Sequence, residues 1–510
     1  MKLLNSSITG LAVALTLGLV LAACSDSNSN SPASPEPEPE PPEPSPTYLP
    51  IAQAEVSTPP DSGALSLLAQ SFDLSDIGYE DQEYFIGGEA SAFTNLNEFS
   101  PDGFWEAEPA EQQAYRTRIV VQRPEEGAAF SGTVIVEWLN VTSGFDTPPS
   151  WGTGHVEMYR SGHIWIGVSA QKVGIDGREG GLAPLYLKAV NPDRYGELLH
   201  PGDSFSYDIF TQVAGLLRGP EAAELLGDRE ADHLLALGES QSASRLVTYI
   251  NAVHPLYNPY DGYIVHSRGG GSAPLAQEPL AGIPAPSAPI IRDDINVPVM
   301  TFQTETDVTE LGFSEARQPD EGNVLLWEVA GTSHADYYTI VAGRLDSDGA
   351  ARFAAVVESS SLPGFISCDL PFNSGPMHYV FNTALRDMDQ WMRTGELPPN
   401  APRLALDEQG GYQLDDSGNV VGGIRTPYVD APTAVLSGVG NTGDGFCRLF
   451  GTTKLFAAEE LATRYVDEAG YVNAVKDSAE AAVEAGFLLD EDAAVIIEWA
   501  PSQWQAQVPQ

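Results

Sequence analysis

The junction around residue 240 restricts the folds open to this chain of 510 residues more than any other stretch. Leu234-Leu235-Ala236-Leu237 is a short apolar run that stops at Gly238, and beyond it Leu246, Val247, Ile250 and Val253 recur at helical spacing. A buried strand, a sharp turn and a helix are implied, with Ser240 at the turn. Such a junction exposes the serine hydroxyl. It also sets the Gln241 backbone N–H at the positive end of a helix dipole, where negative charge developing on a substrate oxygen is stabilised. The same residues suit a strand followed by a serine N-cap, so the Gly-Glu-Ser-Gln-Ser segment taken alone leaves both readings open.

The surrounding chain alternates short β-rich runs with helical patterns. Thr117–Gln122 and Thr133–Trp138 read as neighbouring strands, Ile164–Val168 as a third, and Phe205, Ile209, Val213, Leu216 and Leu217 as one face of a helix. After the Ser240 junction, Tyr263–Val265, Val297–Phe302 and Val324–Val329 supply three more strands. The alternation predicts an α/β fold, a mostly parallel, doubly wound sheet with helical insertions, whose site lies beyond the carboxyl ends of the strands. A serine hydroxyl is a poor nucleophile without a histidine base, itself oriented by a carboxylate. Two of those strand ends carry such residues: Gln303-Thr304-Glu305-Thr306-Asp307 and Ala330-Gly331-Thr332-Ser333-His334. The order Ser240, Asp307, His334 follows, with Glu305 as the alternative acid.

This order and placement resemble the α/β-hydrolase superfamily. More narrowly, Gly-Glu-Ser-Gln-Ser, Gln-Thr-Glu-Thr-Asp and Ala-Gly-Thr-Ser-His look like a bacterial family known mainly as alpha/beta hydrolase domain-containing proteins. Gly422-Gly423-Ile424-Arg425-Thr426-Pro427 and the cysteine at 447 look like its C-terminal part. The resemblance covers roughly residues 50 to 505 and implies an α/β-hydrolase fold and serine hydrolase chemistry. It departs from the superfamily in carrying Ser242 where a second glycine is usual. By the same resemblance, the oxyanion would be held by the N–H of Gln241 and by a backbone N–H of Asn140 or Val141, in the loop after Trp138.

The N-terminus reads as an export signal. Lys2 precedes an apolar segment from Thr9 to Leu21, too short to span a bilayer, and Leu21-Ala22-Ala23-Cys24 resembles the lipobox of bacterial lipoproteins. Cys24 would then be the lipid anchor, on a membrane-anchored lipoprotein at the periplasmic side or cell surface. Residues 25–47, Pro-, Glu- and Ser-rich, read as a disordered linker, and residues 48–510 as the catalytic domain. The two remaining cysteines, Cys368 and Cys447, are expected to pair in an oxidising compartment, with buried free thiols as the alternative. Val472, Val475, Ala479 and Val483 mark a helix ending near Gly486 and packed on the catalytic domain as a helical C-terminal part.

Charge and spacing exclude several functions. With 25 basic against 71 acidic residues the formal net charge is −46, which disfavours a nucleic-acid partner. Asp346-Ser347-Asp348-Gly349 lacks the rest of a calcium loop, and the histidines show no metal-ligand spacing, so no metal and no cofactor is expected. Gly269-Gly270-Gly271 follows the strand after Ser240, where it would line the pocket. The expectation is an exported serine hydrolase acting on a small-molecule ester through an acyl-enzyme. Alternatives are an amidase, peptidase or acyltransferase with the same residues, or a non-catalytic surface binding protein on the same fold.

Overall fold

In the computed structural model, which describes residues 47–443 and 445–508, nine strands form one sheet. The strands are β1 (Glu55–Ser57), β2 (Tyr79–Asn95), β3 (Ala107–Pro124), β4 (Thr133–Trp138), β5 (Ile164–Val168), β6 (His233–Glu239), β7 (Gly262–His266), β8 (Val299–Thr304) and β9 (Val324–Val329). Their order is β1-β2-β3-β5-β4-β6-β7-β8-β9. From β5 to β9 every pairing is parallel, whereas β1, β2 and β3 run antiparallel at one edge. The signal, Cys24 and nearly all of the linker lie outside the described residues.

Parallel strands covered on both faces carry no solvent-facing side, which is why β4, β6 and β9 read as mostly apolar runs. Successive residues still alternate between the faces. Val134, Val136, Leu234 and Ala236 point into one core, which α2 (Ser206–Arg218) closes with Ile209, Phe210 and Val213. Ile135, Leu235 and Leu237 point into the other, packed by Trp151 and Met158 of α1 (Pro149–Arg160) and by Val380, Phe381 and Leu385 of a later helix, Met377–Thr394. Burial therefore fixes the register of each strand, because a one-residue slip would exchange the two cores. Glu137 is a buried carboxyl among these apolar positions. Its carboxyl accepts the N–H groups of Ser150 and Trp151 at the start of α1 and the indole N–H of Trp165, and its burial pushes its pKa up to about 8.

One expectation is corrected here. The strands at 117–122 and 133–138 are not neighbours: β5 lies between β3 and β4, pairing Ile119 with Val168 on one side and Trp138 with Val168 on the other. A crossover of this kind leaves no mark in local periodicity. The edge hairpin of β2 and β3, in register from Tyr79↔Pro124 to Asn95↔Ala107 with a bulge at Ser91/Phe93, has no counterpart in the sequence reading.

Towards the C-terminus, Glu468–Glu484 and Asp490–Gln507 form a helical pair. Tyr471, Val475, Ala479 and Ala482 are its deepest residues on the first helix, with Val472 and Val483 at the margin of the face, and they pack with Ile496, Ala500 and Trp504 against Tyr428 and Ala434. Cys368 and Cys447 form a disulfide with Cα atoms 5.5 Å apart. Phe372 and Phe450 pack around it. No helix among the described residues is long and apolar enough to cross a membrane.

Candidate active site

Gly238 is the last residue but one of β6, and a side chain there would crowd the turn: a Cβ would lie 3.0 Å from Cβ of Ser242. The missing side chain at 238 is what makes room for Ser242 at the position where the superfamily usually has glycine. Ser240 then turns the chain with φ 62° and ψ −114°, a left-handed conformation that a serine adopts only when its surroundings impose it. Its N–H donates to His266 O on β7, and the helix α3, Gln241–Thr248, starts at the next residue. Ser240 occupies the N-cap position, yet its hydroxyl makes no capping bond. It is instead 2.8 Å from His334 Nε2.

His334 sits in the loop after β9. Its backbone N–H donates to Thr306 Oγ1 and its Nδ1 lies 2.6 Å from Asp307 Oδ1. Asp307 follows β8, and its other oxygen accepts both the N–H and the hydroxyl of Thr304, which fixes the carboxylate plane. A carboxylate facing Nδ1 keeps the proton there and leaves Nε2 as an acceptor for the Ser240 O–H. Burial acts most strongly on the His334 ring and disfavours its charge. Asp307 and then Glu239 outweigh that and hold its pKa above the ordinary 6.5.

Glu305, the alternative acid, is engaged elsewhere. Its oxygens accept the N–H groups of Gly331 and Gly438 at 2.6 and 2.7 Å, tying the β9 loop to the C-terminal part. Of the two candidate donors after β4, Asn140 is corrected in the same way, since its N–H donates to Thr147 O. Its side chain instead bonds Glu239 O and the Thr142 N–H, lacing this loop to the Ser240 turn. The Val141 N–H has no acceptor among the described residues, nor has the Gln241 N–H, which opens α3. Val141, Ser240, Gln241, His334 and the glycines 269–271 line one cavity of about 640 Å³.

Three further residues belong to this site although the sequence reading assigned them nothing. Glu239 places Oε1 3.5 Å from His334 Nε2; burial, His334 and Asp307, in that order of influence, leave its pKa at about 7. Arg178 and Arg448 line the cavity from distant parts of the chain. Glu239 lies inside the motif and Arg448 beside a cysteine, but nothing local marks either. Among the described residues no cluster of His, Cys, Asp and Glu could hold a metal ion. Six buried histidines have other surroundings, such as His155 between Trp151 and Phe72, and His378 stacked on Tyr338.

No curated protein matches the chain. Among solved structures, one of two fungal esterases from Rhizomucor miehei is similar at 11% identity, covering 60% of this chain and 86% of that one with a TM-score of 0.30. An α/β serine hydrolase without a lid from Xanthomonas campestris has 13% identity, coverage of 46% and 84%, and a TM-score of 0.25. A carboxylesterase from Lactobacillus plantarum has 10% identity, coverage of 46% and 81%, and a TM-score of 0.25. The model of one family, described as alpha/beta hydrolase domain, matches residues 50–498. That match spans the whole sheet and every residue of the cavity, and the chain therefore belongs to the alpha/beta hydrolase domain family.

Proposed function

We propose that the chain is a serine hydrolase of carboxylic esters, exported and held at a membrane surface by a lipid on Cys24. The observation that carries the reading is the single line of contacts from Asp307 through His334 to the Ser240 hydroxyl, ending beside two unengaged backbone N–H groups. Ser240 Oγ attacks the ester carbonyl as its proton passes to His334 Nε2. The carbonyl oxygen takes up the negative charge against the N–H groups of Gln241 and Val141. The tetrahedral intermediate expels the alkoxide, which leaves as the alcohol with the proton from Nε2, and Ser240 remains acylated. Water, deprotonated by the same nitrogen, then releases the acid. None of these steps calls on a cofactor. Lys2, the apolar Thr9–Leu21 segment and the small residues leading into Cys24 support the export and anchoring part of the proposal.

A fluorophosphonate probe tests the reading, because it phosphonylates only an activated serine. The folded wild-type protein should be labelled at one site, and peptide mapping should find the adduct on Ser240. A folded protein that resists labelling would remove the hydrolase reading in favour of a binding protein on the same fold.

Glu239 gives a second test, with a sign fixed by electrostatics. A carboxylate beside Nε2 favours the charged ring, both in the free protein and in the transition state. Glu239→Gln should therefore move the acid limb of the kcat/KM–pH profile to lower pH, since less acid is needed before the ring is neutral. Plateau kcat should fall about tenfold as the transient imidazolium loses a charged neighbour. An acid limb left in place would show that Glu239 does not act on His334.

A further inference from the structure

The cavity carries an unusual charge for this chain. The protein has a formal net charge of −46, and most of its Lys and Arg side chains are held in ion pairs; yet no Asp or Glu lines the cavity among the described residues, while Arg178 and Arg448 do. Neither makes an ion pair among those residues. Arg178 donates to Thr142 O and leaves Glu179 beside it unused, and the Arg448 side chain makes no hydrogen bond among the described residues. An arginine present only to balance the acidic surface would be expected on a carboxylate.

Both are presented by braced backbone. Arg448 follows Cys447, whose disulfide to Cys368 fixes the loop, and Leu449 O accepts the N–H of Ala335, the residue after His334. Its positive charge opposes protonation of the His334 ring, more weakly than Asp307 and Glu239 favour it. The segment carrying Arg178 is joined to the Val141 loop by Leu182 N–H to Ser143 O, and Gly144 and Gly181 pack backbone to backbone. One guanidinium is thereby tied to the histidine side of the cavity and the other to the side with the unengaged N–H of Val141.

We propose that the cavity binds esters bearing a second, free carboxylate, held by Arg178 and Arg448 while the ester carbonyl lies at Ser240. The substrate class follows from the donor set: a guanidinium offers paired N–H groups that match a carboxylate, and two of them, in a cavity that no Asp or Glu among the described residues lines, form an anion site in an otherwise repulsive field. The bound anion also cancels the Arg448 charge that opposes an imidazolium on His334, so an anionic substrate assists its own turnover. This proposal rests on the ester hydrolase reading for its second half, the position of the carbonyl, but not for the anion site itself.

A matched pair of aryl esters reads the preference: mono-4-nitrophenyl glutarate against 4-nitrophenyl pentanoate, which differ by the terminal carboxylate. Wild type should favour the glutarate in kcat/KM, and the ratio should fall about tenfold in Arg448→Gln and about tenfold in Arg178→Gln, as each removes one charged hydrogen-bonding partner. A ratio unchanged in the double variant overturns the proposal. A separate measurement needs no turnover. Monomethyl glutarate should bind Ser240→Ala by calorimetry, and the binding should be lost when both arginines are also replaced by glutamine. Equal binding with and without the two guanidiniums, or none in Ser240→Ala, overturns the anion site. A wild type that binds the anion and cleaves neither ester leaves the anion site standing and removes the hydrolase reading instead.

Discussion

Replacing Ser240 by alanine should lower kcat for ester turnover by about five to six orders of magnitude, with the fold intact. The loss is that large because His334 and Asp307 have no other group to activate: among the described residues Nε2 faces only the Ser240 hydroxyl and Glu239. The Gln241 and Val141 N–H groups survive the substitution, so whatever rate remains measures oxyanion binding without covalent catalysis. Alanine and glycine at this position should differ in stability. Ser240 is held at φ 62° by the His266 bond and by the tight crossing at Gly238 and Ser242. Ser240→Gly should be as inactive as Ser240→Ala but more stable than it by about 1 kcal/mol, because only glycine adopts that backbone without strain. Thermal melts of the two variants and steady-state rates check both halves. A Ser240→Ala protein retaining more than a hundredth of the wild-type rate would place the nucleophile elsewhere.

The strained turn was legible because its neighbours are. Leu234–Leu237 and Val324–Val329 are apolar runs since both faces of each strand are buried, and the polar residues that follow them mark where the strands end. Ser240 and His334 stand beyond those ends, and Asp307 beyond the end of β8. Side chains that work through tertiary contact carry no such mark. Glu239 looks like any acidic residue until β6 ends beside the β9 loop, and Asn140 offers a side-chain tie rather than a backbone donor because Thr147 folds back to take its N–H. Arg178 and Arg448 are far apart in the chain, and only the fold brings both to the lining of one cavity. The β2–β3 hairpin was missed for a related reason. Glu80-Asp81-Gln82-Glu83 and the pair Gly87-Gly88 interrupt the pattern of β2, and its length is sustained by cross-strand pairing with β3.

Asp307→Asn should lower kcat by about four orders of magnitude while leaving the side chain's shape unchanged. The reason lies in the hydrogen bonds on its two oxygens. Oδ2 accepts two donors from Thr304, its N–H and its hydroxyl, so an asparagine keeps its carbonyl oxygen there and turns its NH2 towards His334 Nδ1. Nδ1 must then accept, and the ring proton moves to Nε2. That nitrogen now presents a donor to Ser240 Oγ and cannot take its proton. The variant should also show a stability change with a definite pH dependence. In the wild type the pKa of His334 is raised in the folded state, so its charged form contributes stability that is fully present below the unfolded value near 6.5 and is lost as the pH rises through the folded value. Removing the Asp307 charge removes that contribution, and the difference in melting temperature between wild type and Asp307→Asn should be larger at pH 5.5 than at pH 9. Activity runs the other way, requiring the neutral ring. A melting difference independent of pH, together with a rate loss below tenfold, would mean that Asp307 holds the loop in place without setting the tautomer of His334.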